Sequence, residues 1–434
     1  MSVSSNPFRR MPTRGITTAP GTRSDLRAVR PYVDLRGAGG AIHSRVLLHY
    51  ADALSSGHQV RAVFQSNPVA HTRRHILREA RLPDFHADHP ADLPPELRGR
   101  RWQDLCEHVE HWPDLDDDTR ARAGIVLVRL GFYATFLGLT GPDEPPTAIG
   151  DAGASLLMLR ANARYKRALA AGEAVPTYES LVEHASTARS RLLAALALAV
   201  HHARVSRDSA QVDAWATRSM DLLPQALDGG EDDALLHSAV LRACSFAPFF
   251  DGDKARTTRL LDECEALARS APADTAERAL AKAENLRAVL ETRAREAQWR
   301  GEADLALDRT RELVDLDADD GRAHRDLGYL LLARQDVEAA LRSFARSAAL
   351  GPPFAAVSWA LVARCRELLD DPRAAIEAYL VACELDPGSL TALDGVARCA
   401  ASIGDAGLRG WALSRSAALP ALPAPADREK ETVR

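Results

Sequence analysis

The sequence predicts an all-α protein, and three observations carry that prediction. Hydrophobic residues make up 46 % of the 434 positions but aromatic residues only 5 %, so Ala, Leu and Val must fill the core. Ala and Leu are the best apolar helix formers, and runs of β-branched residues are scarce. From about residue 180, apolar residues recur with a helical period in segments of about 12 to 16 residues separated by short polar breaks. Length and a charged fraction of 26 % fit a soluble globular chain of two or three domains.

Residues 1–38 are rich in Ser, Pro, Gly, Thr and Arg and read as a flexible basic arm. Arg9-Arg10 is a twin arginine, but Met11–Gly21 lacks an apolar stretch, so export is not expected. Residues 39–175 form an irregular, His-rich helical domain. Helices are expected over Ala41–Leu54, Val69–Arg81, Trp102–His111 and Ala152–Ala171, with prolines breaking the chain near 83–95 and 142–146. Asp116, Asp117 and Asp118 form a cap for a further helix that carries the apolar run Ala123–Leu139. A span needs about 20 apolar residues, and Arg129 sits near the centre of this shorter run, so a buried helix is expected and no membrane association. Residues 180–420 are the repeat region, and 421–434 read as a disordered tail.

The net charge of −5 and pI near 6.3 argue against nucleic acid as the partner of the whole chain. Lysine occurs only at Lys166, Lys254, Lys282 and Lys430, so the other cations are arginine. None of the six cysteines forms a C-x-x-C pair, which fits free thiols in a reducing, cytoplasmic setting. No phosphate-binding glycine loop, dinucleotide fingerprint or nucleophile elbow is present, so no catalytic residue and no cofactor are assigned. Nine of the 14 histidines precede residue 112. His71 and His75 are spaced to share a helix face, as are His108 and His111, and these four are the weak metal candidates, without any complete metal motif around them.

Internal repetition is the strongest signal. In the segment from Gly321, His324, Leu327, Gly328 and Leu331 lie on a first helix. Asp336 caps a second, carrying Ala340, Phe344 and Ser347 before Pro352. Thirty-five residues on, from Ala356, the same places hold Trp359, Val362 and Ala363, then Asp371-Pro372 as cap and first turn, then Ala375, Tyr379, Ala382 and Pro387. This resembles the tetratricopeptide repeat family, whose pattern is a Trp, Leu-Gly and Tyr on helix A, and Ala, an aromatic, Ala and Pro around helix B. The resemblance is clearest over 320–390. Weaker copies start at Arg287, with Gly301 at the turn, and at Leu390, with Gly404-Asp405 at the turn. Hairpins without the aromatic and proline marks are expected upstream, over Ser186–Leu223 and Leu235–Arg269.

The resemblance implies a right-handed solenoid whose helices A line a concave groove. It also implies that Phe344 and Tyr379 fill the space between neighbouring repeats. The ninth place of each repeat points into the groove, and those places hold Arg295, Tyr329, Arg364 and Arg398, with Arg325 at a fifth place. Guanidinium pairs carboxylate in a bidentate way, so this surface suits an acidic protein or peptide segment. The Asn residues of the family's carboxylate-clamp members are missing at these places. The leading expectation is therefore a non-catalytic scaffold that binds a protein or peptide. Two alternatives stay open: an enzyme whose His-rich domain acts on a peptide held by the repeats, and a peptide-sensing regulator whose arm contacts nucleic acid.

Overall fold

The computed structural model describes residues 41–58, 60, 89–93, 95, 98–141, 150–166, 174–227, 229–230, 233–351 and 354–419. The expected basic arm, the C-terminal tail, the Val69–Arg81 helix with His71 and His75, and Pro352 lie outside them. The described residues are helical throughout, with no strand among them. They fall into two compact units, a larger one ending at residue 309 and a smaller one from residue 310 to 419. The boundary falls between Arg309 and Thr310, and the expected domain limit near 175–180 lies inside the larger unit.

In the larger unit, α1 (Ile42–Ser56), α2 (Arg100–Glu110), α3 (Asp117–Leu130), α4 (Tyr133–Thr140) and α5 (Asp151–Lys166) form the irregular N-terminal part. Asp116 does cap α3, its carboxylate accepting the Thr119 N–H at 2.8 Å. The apolar run Ala123–Leu139 is not one helix. Gly131 adopts φ 82°, ends α3 with its N–H on the carbonyls of Leu127 and Val128, and turns the chain into α4. A left-handed residue cannot continue a helix, and glycine takes that conformation without steric cost. No described helix is long and apolar enough to cross a membrane. Arg129 is buried, its guanidinium 3.4 Å from Glu284 and 5.2 Å from the centre of the Tyr50 ring.

Then come α6 (Val175–His184), α7 (Ala188–Arg204), α8 (Ser209–Ala226), α9 (Asp233–Cys244), the short α10 (Phe246–Phe250), α11 (Lys254–Ser270) and α12 (Ala276–Arg300). Polar side chains start these helices as the sequence suggests: Thr187, Asp208, Asp253 and Thr275 each accept a first-turn N–H. Neighbours pack in chain order, and α1 adds a non-sequential contact against both α3 and α12. Ser238, Cys264 and Asn285 tie α9, α11 and α12 together, the Ser238 hydroxyl lying 3.1 Å from the Asn285 amide oxygen and 3.3 Å from the Cys264 sulfur. Beside them Arg293 is buried among Asp262, Glu265 and Glu296, at 2.7, 3.2 and 2.6 Å. Glu265 in turn receives Arg269 and Arg309, both at 2.7 Å.

α13 (Ala303–Leu316) spans the boundary. The smaller unit holds three hairpins: α14 (Gly321–Ala333) with α15 (Val337–Ala349), α16 (Ala355–Leu368) with α17 (Pro372–Leu385), and α18 (Leu390–Ser402) with α19 (Ala406–Ala417). Each helix packs on the next, and α16 also touches α18, so the unit is a helical-repeat solenoid. Asp336, Asp371 and Asp405 cap the second helix of each hairpin through the N–H groups of Ala339, Ala374 and Leu408. The residue before each cap is left-handed. Gln335, Asp370 and Gly404, with Gly301 of the preceding hairpin, follow one another at spacings of 34, 35 and 34 residues.

Phe344 and Tyr379 are fully buried but do different work. Phe344 lies over Gly328 of its own hairpin, so close that a Cβ there would meet the ring at 2.5 Å. The expectation that it fills the space between repeats misses this, because a glycine on helix A opens room within the hairpin. Tyr379 does lie between repeats, over Gly395 of the following one.

Gly328→Ala and Gly395→Ala should each destabilise the protein by about 1–3 kcal/mol through overpacking, despite Ala's better helix propensity. Gly410→Ala, mid-helix in α19 with open space around it, should stabilise by up to about 1 kcal/mol. Urea unfolding of the three variants reads both signs. Arg293→Met should cost about 3–5 kcal/mol because it strands buried carboxylates, while Arg295→Met, at an exposed pair, should cost less than about 1 kcal/mol in the same assay.

Candidate binding site on the repeats

Helix A of the second and third hairpins of the smaller unit, α16 and α18, each carries an arginine at its ninth place, Arg364 and Arg398. Both turn onto one carboxylate, Glu367, which sits three residues after Arg364 on the same helix. Arg364 Nη1 pairs with Glu367 Oε2 at short range. Arg398 Nη2 donates to Oε1 at 3.0 Å and lies 3.4 Å from Oε2. The Cys399 thiol donates to Oε1 at 3.2 Å. The Tyr379 hydroxyl, reaching from α17, lies 3.5 Å from Arg398 Nη2. Three helices therefore converge on one carboxylate. Its side chain is 12 % exposed, while those of Arg364 and Arg398 are 36 % and 54 % exposed.

The electrostatics follow from this geometry. Burial pushes the Glu367 carboxyl up, but the hydrogen bonds from Cys399 and Arg364 and the Arg398 charge outweigh it and hold the group below the usual glutamate range. Burial, with Glu367 beside it, raises the Cys399 thiol to about 12, so it stays protonated and serves as a donor. Burial and the same carboxylate raise the Tyr379 phenol.

The other expected groove residues are placed differently. Arg325 bonds Asp326, with Nη2 at 2.9 Å, and its guanidinium stacks 4.7 Å from the centre of the Phe354 ring. Tyr329 packs edge-on against Phe344 at 5.4 Å, and burial raises its phenol. Arg295 belongs to the larger unit, where it is 60 % exposed and pairs with Glu291 at 2.6 Å. The structure thus brings Arg364 and Arg398 together and leaves Arg325 and Tyr329 in their own contacts. Sequence reasoning missed Glu367, Tyr379 and Cys399 as members of the cluster. The i, i+3 spacing of Arg364 and Glu367 was the one available signal.

Of the weak metal candidates, His108 and His111 are described. His108 Nδ1 lies 2.5 Å from the Asp104 carbonyl and His111 Nδ1 3.0 Å from the Glu107 carbonyl. A carbonyl can only accept, so each ring carries its proton on Nδ1 and satisfies its own helix. Among the described residues no group of three or more His, Cys, Asp or Glu side chains could hold a metal ion.

The regular left-handed turns, three of them followed by an aspartate cap, and the glycine seats for Phe344 and Tyr379 decide the repeat type. The chain carries tetratricopeptide-like repeats. No family model and no curated protein matches it. Among solved structures it is similar to MamA protein (16 % identity, 43 % of this chain and 98 % of that one, TM-score 0.35). It is also similar to PilF of Pseudomonas aeruginosa (15 %, 56 % and 95 %, TM-score 0.40). A third is YrrB, described as a TPR protein with an unusual peptide-binding site (14 %, 52 % and 98 %, TM-score 0.33). These likenesses concern the fold alone.

Because the folded-state pKa of Glu367 lies below its unfolded value of about 4.3, its stabilising contribution is complete above that value. It disappears as the pH falls through the folded-state value. Wild-type stability should therefore fall on acidification more steeply than that of Glu367→Gln, and the two unfolding curves should converge at low pH. Parallel curves from pH 6 to pH 2 would refute the assignment.

Proposed function

We propose that the protein is a non-catalytic scaffold that binds an extended, carboxylate-bearing protein segment on the repeat surface around Arg364 and Arg398. One observation carries the reading: two guanidinium groups share a single carboxylate, and both remain partly open to solvent. Glu367 occupies Arg364 Nη1 and Arg398 Nη2, so Nε and Nη2 of Arg364 and Nε and Nη1 of Arg398 carry no hydrogen bond among the described residues. Arginine forks of this kind recognise carboxylates in two parallel hydrogen bonds.

The scaffold role rests on the repeats. Stacked hairpins present side chains from successive helices at regular intervals, which suits an extended partner. Six buried free cysteines support a reducing, cytosolic setting. Tyr379 and Cys399 help to fix Glu367, and through it the two guanidinium groups. No observation on the His-rich part favours the enzymatic alternative, and the arm of the nucleic-acid alternative lies outside the described residues.

An acetylated, amidated octapeptide of Ser and Ala with two central Glu residues should bind the full chain weakly at low salt. Arg364→Gln and Arg398→Gln should each weaken that binding about tenfold, the scale of one charge-assisted pair. Nuclear magnetic resonance titration measures it. Equal binding to both variants and to the wild type would refute this site.

A further inference from the structure

We propose that Glu367 makes the Arg364–Arg398 pair selective for a singly charged carboxylate over a doubly charged phosphate. The inference rests on the reading of these arginines as an anion site and adds the chemical class of the anion.

The local charge count is the first support. Arg364 and Arg398 supply two positive charges and Glu367 one negative charge. The neighbouring ionisable groups do not alter the sum. Arg366 lies 3.9 Å from Asp371, outside the cluster, and Asp394, one turn before Arg398, makes no ion pair with it. One unit of positive charge remains, which one carboxylate neutralises. A phosphoserine brings about −1.5 to −2 at neutral pH and would leave the site negative.

Geometry turns that count into selectivity. Both oxygens of Glu367 are already engaged, Oε1 by Arg398 and Cys399, Oε2 by Arg364 and Arg398. The group is held from two helices, with the Tyr379 hydroxyl of a third beside it. It cannot swing away when a ligand arrives. An incoming anion must therefore take the outer, solvent-facing edges of the guanidinium groups, with the largely buried Glu367 close by. Repulsion between like charges grows with the ligand's charge. A carboxylate keeps the attraction of two arginines against one repulsion. A phosphate doubles both, but its cost of leaving water grows faster than its charge, and the single net positive charge of the site does not offset that cost.

Removing the charge and keeping the shape separates these effects. In Glu367→Gln the amide oxygen still accepts from the arginines, and the site carries two full positive charges, matching a phosphate dianion. The experiment titrates the full chain and this variant with two octapeptides of Ser and Ala that differ at one central residue, Glu or phosphoserine, at pH 7.5 and low salt. The wild type should bind the Glu peptide more tightly. The variant should gain roughly tenfold for phosphoserine and reverse the order. The wild-type preference needs no variant, so a misfolded variant, detected by circular dichroism, leaves half the test intact. A wild type that prefers phosphoserine, or a variant that loses affinity for both peptides in equal measure, overturns the proposal, the latter making Glu367 a positioning residue only. If neither protein binds either peptide, the anion-site reading fails and the selectivity with it. Binding that survives Arg364→Gln and Arg398→Gln has the same meaning.

Discussion

A helical hairpin with arms of about thirteen residues has more apolar surface than its two helices can cover, so a neighbour must cover the rest. In the smaller unit that constraint is met by close approach at glycine. Phe344 closes the inside of one hairpin because residue 328 has no side chain, and Tyr379 closes the seam to the next because residue 395 has none. These two contacts set how closely α15 approaches α14 and α17 approaches α18. The left-handed residues at 301, 335, 370 and 404 are the backbone counterpart: they set where helix A stops, and after the last three an aspartate caps the next helix.

The Arg364–Glu367–Arg398 cluster depends on the same packing. Arg364 and Arg398 are 34 residues apart in the chain and meet because their helices occupy equivalent places in adjacent hairpins. Tyr379, the residue that closes the seam, carries its hydroxyl to the edge of the cluster. One side chain thus couples the apolar interior to the polar surface, with its ring over Gly395 and its oxygen beside Arg398. The buried network around Arg293 in the larger unit differs: Arg293 and its carboxylates are satisfied by one another, which suits structure better than recognition.

Much of the helical architecture was legible. Caps at Asp116, Asp336 and Asp371 and the glycine turns at 301 and 404 mark helix ends through local chemistry, which a single sequence displays. The break at Gly131 was not read, because hydrophobic periodicity continues across it and only backbone conformation reveals the turn. Arg364 and Arg398 were legible as repeat positions, yet their shared carboxylate was not, since Arg398 and Glu367 are 31 residues apart and meet only through stacking. Arg129 looked like a flaw in an apolar helix. Its partner Glu284 lies 155 residues further on, beyond the reach of any periodic pattern.

That last separation has a kinetic consequence. Repeat arrays fold largely through contacts between sequence neighbours, so helices can join as they emerge from the ribosome. Helix α1 breaks this rule by packing on α12, whose first residue follows its own by 234 positions. At synthesis rates of about 5–20 residues per second, α1 waits roughly ten to fifty seconds for α12. Closing α1 onto α12 therefore carries the loop-closure entropy of that long separation.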